Sequence, residues 1–199
     1  MLPAGTPMAD YVHLHVHSQY SMLDGAIRVK DLCKRTAAQG LKAVAMTDHN
    51  NMHGAIDFYK QAKEHGLKSI LGCEVAFAFP GDKRVDAKGA DRTPTHHMVL
   101  LARNLRGYKN LIQLVSAAWT EGPEGGTPRS SLERLHQYRE GLVVLSGCLG
   151  GLIPQAVLQY SPKQGMELLA KLRDVCEPGS VFVELQNHKL IEQPIVNKI

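Results

Sequence analysis

The sequence predicts an α/β fold in which a parallel β-sheet wraps into a barrel with its helices outside. Three observations carry that prediction. Six short apolar runs alternate with stretches of helical periodicity across 199 residues, the pattern of repeated βα units. Polar residues of metal-ligand type stand at the ends of successive runs, where a barrel assembles its site; an open doubly wound sheet would gather them at one switch point. The glycine-rich phosphate loop that usually follows the first strand of an open sheet is absent.

Composition sets the frame. With 44% hydrophobic and 21% charged residues the chain can bury one sizeable core, so residues 11–199 are expected to form one domain behind a flexible N-terminus, 1–10. No apolar run is long enough to cross a bilayer, and Met1 to Asp10 lacks a basic flank and apolar signal region, so no membrane partner and a cytoplasmic location are expected. Cys33, Cys73, Cys148 and Cys176 are widely spaced, which excludes a zinc ribbon or a disulfide framework and fits reduced thiols. A net charge of +4 suits a phosphate-bearing partner, but the lysines and arginines are scattered and do not by themselves point to nucleic acid.

The first strand, Tyr11 to His17, alternates. Side chains two apart share a strand face, so His13, His15 and His17 are expected on one side and Val12, Leu14 and Val16 on the other. A helix over Val29–Gln39 follows, with Leu32, Cys33 and Thr36 inward and Gly40 as its stop. The second strand, Leu41 to Thr47, breaks into the polar tip Asp48-His49-Asn50-Asn51. His53 to His65 is helical, with Ile56, Tyr59 and Ala62 on its inner face, and Ser69 to Phe77 is a third strand carrying Gly72-Cys73-Glu74.

Phe79 to Pro94 is polar and rich in Gly and Pro, hence a mobile surface loop. His96-His97 opens a fourth strand through Ala102. The helix after it has Tyr108, Leu111, Ile112, Val115 and Trp119 at the spacing of one buried face, which assigns Trp119 to the core. A second Gly/Pro loop, Glu121 to Arg129, leads to Ser130-Ser131-Leu132-Glu133, which matches a capping box. Gly141 to Leu145 is the fifth strand and ends in Ser146-Gly147-Cys148. Helices follow near Ile153–Gln159 and after the N-cap Ser161-Pro162, the latter with Met166, Leu169, Leu172 and Cys176 inward. Val181 to Gln186 is the sixth strand, tipped by Asn187-His188.

Collected, the strand-end residues are His15, His17, Asp24, Asp48, His49, Glu74, His97 and Cys148. Each alone has a plain explanation: Asp24 shapes a turn, Asp48 caps a helix, Glu74 meets a lysine, Cys148 is a small buried residue. Their recurrence after five strands points instead to a shared metal site, and the number of donors exceeds the roughly four that one ion takes.

His15-Val16-His17-Ser18-Gln19-Tyr20-Ser21 with Asp24-Gly25, then Thr47-Asp48-His49, then Gly72-Cys73-Glu74, resembles the polymerase and histidinol phosphatase (PHP) superfamily. Asn51-Met52-His53-Gly54-Ala55, Leu100-Leu101-Ala102-Arg103-Asn104, Gly107-Tyr108-Lys109-Asn110-Leu111 and Leu145-Ser146-Gly147-Cys148-Leu149 narrow the resemblance to the N-terminal PHP domains of bacterial DNA polymerase III alpha subunits.

The resemblance implies a distorted (β/α)7 barrel, truncated here before its last strand, with up to three zinc or manganese ions. Carried over position by position, it makes His15, His17, Asp24, His49, Glu74, His97 and Cys148 metal ligands. It makes His49 and Asp48 the catalytic pair, Asp48 acting by orienting a histidine; Asn187 and His188 are expected near substrate or an ion from their own place at the tip of the sixth strand. His13 and His96 stand beside ligand positions without matching the motif, and His53, His65 and His136 lie on helices, so these five are read as structural. The implied function is that of the PHP domain of a replicative DNA polymerase, a metal-dependent phosphoesterase with 3′–5′ exonuclease activity in some members. Polymerase activity would reside in a separate domain of a longer chain, and DNA, the proofreading subunit and the sliding clamp would be partners. A free-standing phosphatase of small phosphate esters and a non-catalytic scaffold are the alternatives.

Two departures stand out. Asn50 replaces a glycine common in the family, and the family's closing Asp and His, after a seventh strand, have no counterpart before Ile199. The 199 residues alone are therefore expected to bind metal weakly and show little activity.

Overall fold

Alternating βα signals lead to a five-stranded sheet in the order β1 (Ala43–Met46), β2 (Lys68–Phe77), β3 (His96–Ala102), β4 (Leu142–Leu145), β5 (Val181–Phe182). The computed structural model describes residues 11–122 and 127–198. The N-terminal segment 1–10, expected to be flexible, and part of the second Gly/Pro loop lie outside the described residues. Among the described residues, no helix is long and apolar enough to cross a membrane.

The sheet is mixed, where the sequence pattern suggested parallel strands throughout. β1 pairs parallel with β2 and β4 with β5, but β3 runs antiparallel to both β2 and β4. The reason lies in the connection. A parallel crossover must carry the chain back along the sheet, usually as a helix, and residues 78–95 contain none. The chain turns over and re-enters at the end where β2 left it. That connection carries bonds of its own: Arg129 grips Asp91 through two, at 3.0 and 2.6 Å, and Asp86 accepts the Lys88 and Ala90 backbone N–H groups.

The histidine-bearing first segment joins the sheet irregularly. Ala45 N–H donates to His13 O and Thr47 N–H to Val16 O, both at 2.8 Å, so four residues of this segment, 13–16, face three, 45–47, at the end of β1 and just beyond it. That is a bulge, and it breaks the alternation. Thr47 Oγ1 takes the Val16 N–H that the bulge frees, at 2.8 Å. His13 is consequently exposed and stacks edge-on with Tyr11, apart from His15 and His17.

The helices, α1 (Val29–Ala38), α2 (Ala55–Glu64), α3 (Leu105–Thr120), α4 (Leu132–Gln137), α5 (Leu152–Gln159), α6 (Pro162–Val175) and α7 (Gln193–Val196), mostly pack outside the sheet. Val75, Met98, Leu100 and Val144 meet Leu111, Leu114, Leu135, Leu152 and Leu172 of α3 to α6, while Val44 and Met46 meet Cys33 of α1 and Phe58 of α2. A third cluster, Ala45, Val99, Leu101 and Leu145, packs separately.

Several helices sit in a different register from the one their apolar residues suggested. Phe58 is fully buried in α2 while Ile56 and Tyr59 are exposed, and Leu168 replaces Met166 on the inner face of α6. In α3 the buried stripe is Gly107, Leu111, Leu114 and Ala118, whose small members let the helix approach the sheet; Ile112 and Trp119 turn outward. Trp119 is 59% exposed, and its indole N–H donates to Asn50 O at 2.6 Å. Ser131, rather than Ser130, caps α4.

The sixth strand pairs only at Val181–Phe182. Its extension reaches the first segment: His15 Nδ1 lies 2.9 Å from Glu184 Oε1. The two ends of the sheet thus meet, as in an incomplete barrel, with a cleft of about 690 Å³ between them.

Candidate metal centre

Glu74 is the hub. It lies on β2, 1% exposed, and a buried carboxylate needs close partners. Its Oε2 is 2.9 Å from His17 Nε2, 3.2 Å from His15 Nε2 and 3.3 Å from His49 Nδ1; its Oε1 is 3.3 Å from His97 Nδ1. His15 and His17 come from the first segment and His49 from the tip after β1. His97 opens β3, and because that strand is antiparallel its beginning lies at the end of the sheet where β1 and β2 finish. Asp24 completes the group through His49 Nε2, 2.5 Å away.

These residues form three overlapping clusters: His15, His17 and Glu74; His17, Asp24 and His49; His49, Glu74 and His97. Within each, the donor atoms lie within 4.8 Å of one another. A mixed imidazole and carboxylate donor set suits zinc or manganese.

Proton bookkeeping supports a cation here. Ser21 Oγ donates to Asp48 Oδ1 at 3.0 Å, so with its single hydrogen spent it can only accept from His17 Nδ1, also at 3.0 Å. That leaves the His17 Nε2 lone pair facing His15 Nε2, 3.2 Å away, and Glu74 Oε2. Glu74 Oε1 is buried without a hydrogen-bond partner. Electron pairs converge on one point, and a cation or a proton must answer them.

The acid–base balance shows the same pull. Burial resists ionisation of Glu74, but the imidazoles of His15, His17 and His97 crowded around it outweigh that and hold its carboxyl far below the usual range. Burial likewise opposes charge on His15, yet hydrogen bonds to Glu184 and Glu74 overcome it and raise the imidazole to about 9. His49 goes the other way: burial lowers it more than Glu74 and Asp24 raise it.

A second layer of bonds builds the loop that carries Asp24. The buried Asp48 carboxylate accepts from Ser18 N at 2.6 Å, Ser18 Oγ at 2.8 Å and Ser21 Oγ at 3.0 Å. Gly25 closes the turn where a Cβ would fall 1.8 Å from Ser18 O, so no other residue fits. Asp48 therefore works from behind, and belongs to none of the three clusters.

The remaining expected residues divide. Cys148 and His188 line the cavity of about 540 Å³ that contains the clusters, but Cys148 lies outside the clusters themselves. Burial raises its thiol above the ordinary value. Asn187 lines neighbouring clefts instead. His96 is buried against Phe79, 4.4 Å between ring centres, away from the cluster.

Sequence reasoning overlooked Ser21 and Glu184. Ser21 was legible only as part of a motif, and Glu184 could have been found as the one carboxylate in the apolar run Val181 to Leu185.

Comparison with known proteins accords with this geometry. The chain is 42% identical to the DNA polymerase III subunit alpha of Thermus aquaticus over 195 residues, covering 95% of this chain and 16% of the relative. It is 41% identical to that of Chlamydia pneumoniae over 186 residues, 93% of this chain and 15% of the relative, and 38% identical to that of Borreliella burgdorferi over 190 residues, 94% and 16%. The chain thus spans about 15–16% of the length of these relatives. Among solved structures, a proposed metal-dependent phosphoesterase of Bifidobacterium adolescentis aligns with a TM-score of 0.49 at 16% identity, covering 98% of this chain and 96% of that one. The PHP domain family matches residues 13–188, a span that takes in the whole histidine and carboxylate cluster as well as the strands that hold it, and the chain belongs to that family.

Proposed function

We propose that residues 11–199 are the PHP phosphoesterase module of a replicative DNA polymerase alpha subunit, using zinc or manganese to release nucleotides from a DNA 3′ end. One observation carries the reading: four imidazoles from three separate segments converge on the buried Glu74 carboxylate. The relatives' names supply the polymerase context.

His15, His17, Asp24, His49, Glu74 and His97 would hold the ions, with Cys148 at the cavity wall. Bound there, divalent ions supply charge neutralisation and Lewis acidity to a phosphate ester. The chain's own part is placement. Glu74 anchors four imidazoles from beneath, Ser21 sets the His17 tautomer, and Asp48 fixes the turn that brings Asp24 to His49. Burial holds the His49 imidazole below its ordinary value, which favours the neutral form that can ligate an ion. His188 stands at the rim, where a nucleotide would enter.

Polymerisation, and contacts with DNA, the proofreading subunit and the clamp, belong in this reading to a longer cytoplasmic chain. The test is release of nucleotides from a 3′-labelled primer by metal-loaded protein, beside His17→Ala. Metal-dependent release that the substitution abolishes is expected. Metal-loaded protein that leaves the primer intact while hydrolysing small phosphate esters would transfer the function to a phosphatase.

A further inference from the structure

Glu184 belongs to none of the three clusters, yet it holds one of their members. Its Oε1 lies 2.9 Å from His15 Nδ1, and each side chain is only 13% exposed. The carboxylate is itself fixed. Ser146 Oγ accepts the Glu184 backbone N–H at 2.9 Å, and the Gln186 side-chain amide donates to Oε1 at 2.5 Å. Oε2 is buried with no hydrogen-bond partner.

We infer that Glu184 is a positioning residue of the metal centre, which accepts the Nδ1 proton of His15 and thereby turns the His15 Nε2 lone pair toward His17 and Glu74. The inference rests on the metal reading of the site and extends it to a residue from the opposite end of the sheet.

A ligating imidazole has one N–H and one lone pair, any proton that Nε2 carries without an ion being released on binding, and a carboxylate can only accept. Glu184 therefore claims the proton on Nδ1, and Nε2 is left as the donor atom. It stands 3.2 Å from His17 Nε2 and 3.2 Å from Glu74 Oε2. Ser21 does for His17 what Glu184 does for His15, so two tautomers are set independently and their lone pairs meet at one point. Carboxylates that hold a ligating histidine in this way orient the ring and raise its basicity, and removing one typically costs 10–100-fold in metal affinity.

A purely structural ion pair between Glu184 and His15 would serve the fold equally well if the ring were rotated to face the carboxylate with either nitrogen. It would not require the other nitrogen to face Glu74 and His17. The placement of Nε2 is what marks the pair as part of the centre.

The experiment compares the parent protein with Glu184→Ala and Glu184→Gln, and with His13→Ala as a control outside the cluster. Zinc affinity is measured by competition with a chelator, and the protonated ring nitrogen of His15 is identified in zinc-loaded, nitrogen-15-labelled protein by long-range proton–nitrogen correlation. Glu184→Ala should bind zinc about 10–100-fold more weakly. Glu184→Gln, whose carbonyl oxygen can accept the same proton, should recover most of that loss, and His13→Ala should match the parent. In the parent, Nδ1 should carry the proton and Nε2 the zinc.

Parental affinity in folded Glu184→Ala, or zinc on His15 Nδ1, would overturn the inference. If Glu184→Ala fails to fold, the parent spectrum and the Glu184→Gln affinity decide. A parent that binds neither zinc nor manganese overturns the metal reading as well, whereas loss of the DNA substrate alone leaves this inference standing, because neither measurement reads hydrolysis.

Discussion

The Asn50 side-chain oxygen accepts the Ala76 backbone N–H at 2.8 Å, tying the tip after β1 to the end of β2. Its own N–H donates to Glu74 O at 2.8 Å, and its φ of 49° lies in the left-handed region. Asparagine tolerates that region better than most residues, so it can hold a turn that glycine would also allow. It keeps glycine's conformation and adds an acceptor.

Substitutions at Asn50 should therefore rank. Asn50→Gly keeps the backbone and loses one hydrogen bond, about 1 kcal/mol; Asn50→Ala loses the bond and strains the turn, about 2–3 kcal/mol in all. Urea unfolding at neutral pH measures both. Equal losses for the two variants would remove φ from the explanation.

Asp48→Ala should be more damaging. It leaves the Ser18 N–H, the Ser18 hydroxyl and the Ser21 hydroxyl without their buried acceptor, a loss of about 3 kcal/mol or more. Because Ser21 also sets His17 and the same turn carries Asp24, metal affinity should fall with stability. Asp48→Ala with parental metal binding would sever the turn from the centre.

Metal content should follow cluster membership. His17 and His49 each belong to two of the three clusters and Cys148 to none, so His17→Ala and His49→Ala should lose more bound zinc or manganese than Cys148→Ser. Elemental analysis of dialysed protein provides the comparison. A Cys148→Ser protein as depleted as His17→Ala would place the thiol among the ligands.

The Asp91–Arg129 pair gives a pH signature. The hydrogen bonds from Arg129 and the Thr93 N–H hold the Asp91 carboxyl below its ordinary 3.8. A depressed carboxylate contributes stability above its unfolded value and loses it as pH falls toward the folded one. Parent and Asp91→Asn should thus differ by a constant margin above about pH 5 and converge below about pH 4. Denaturant titrations across that range test it, and a margin that widens toward acid would contradict the sign.

Much of this molecule was legible in its sequence, for reasons that are local. Helix stops at Gly40 and Gly66 follow from the left-handed φ that glycine alone adopts freely, and Ser161-Pro162 begins α6 because a hydroxyl and a fixed φ satisfy a helix start. His15, His17, Asp24, His49, Glu74 and His97 could be gathered because each is a donor group at the edge of an apolar run. What the sequence could not decide is where those edges meet. The antiparallel course of β3 depends on a connection without a helix, and it alone brings His97 to the same end as Glu74. The bulge opposite Ala45 to Thr47 removes His13 from a ladder that period-two alternation required, since backbone pairing overrides spacing. Trp119 has the apolar spacing of a core residue, but the small residues of α3 chose the inner face. Glu184 reaches His15 from 169 positions away. Side-chain chemistry is written locally; which lone pairs share a point in space is a property of the closed sheet.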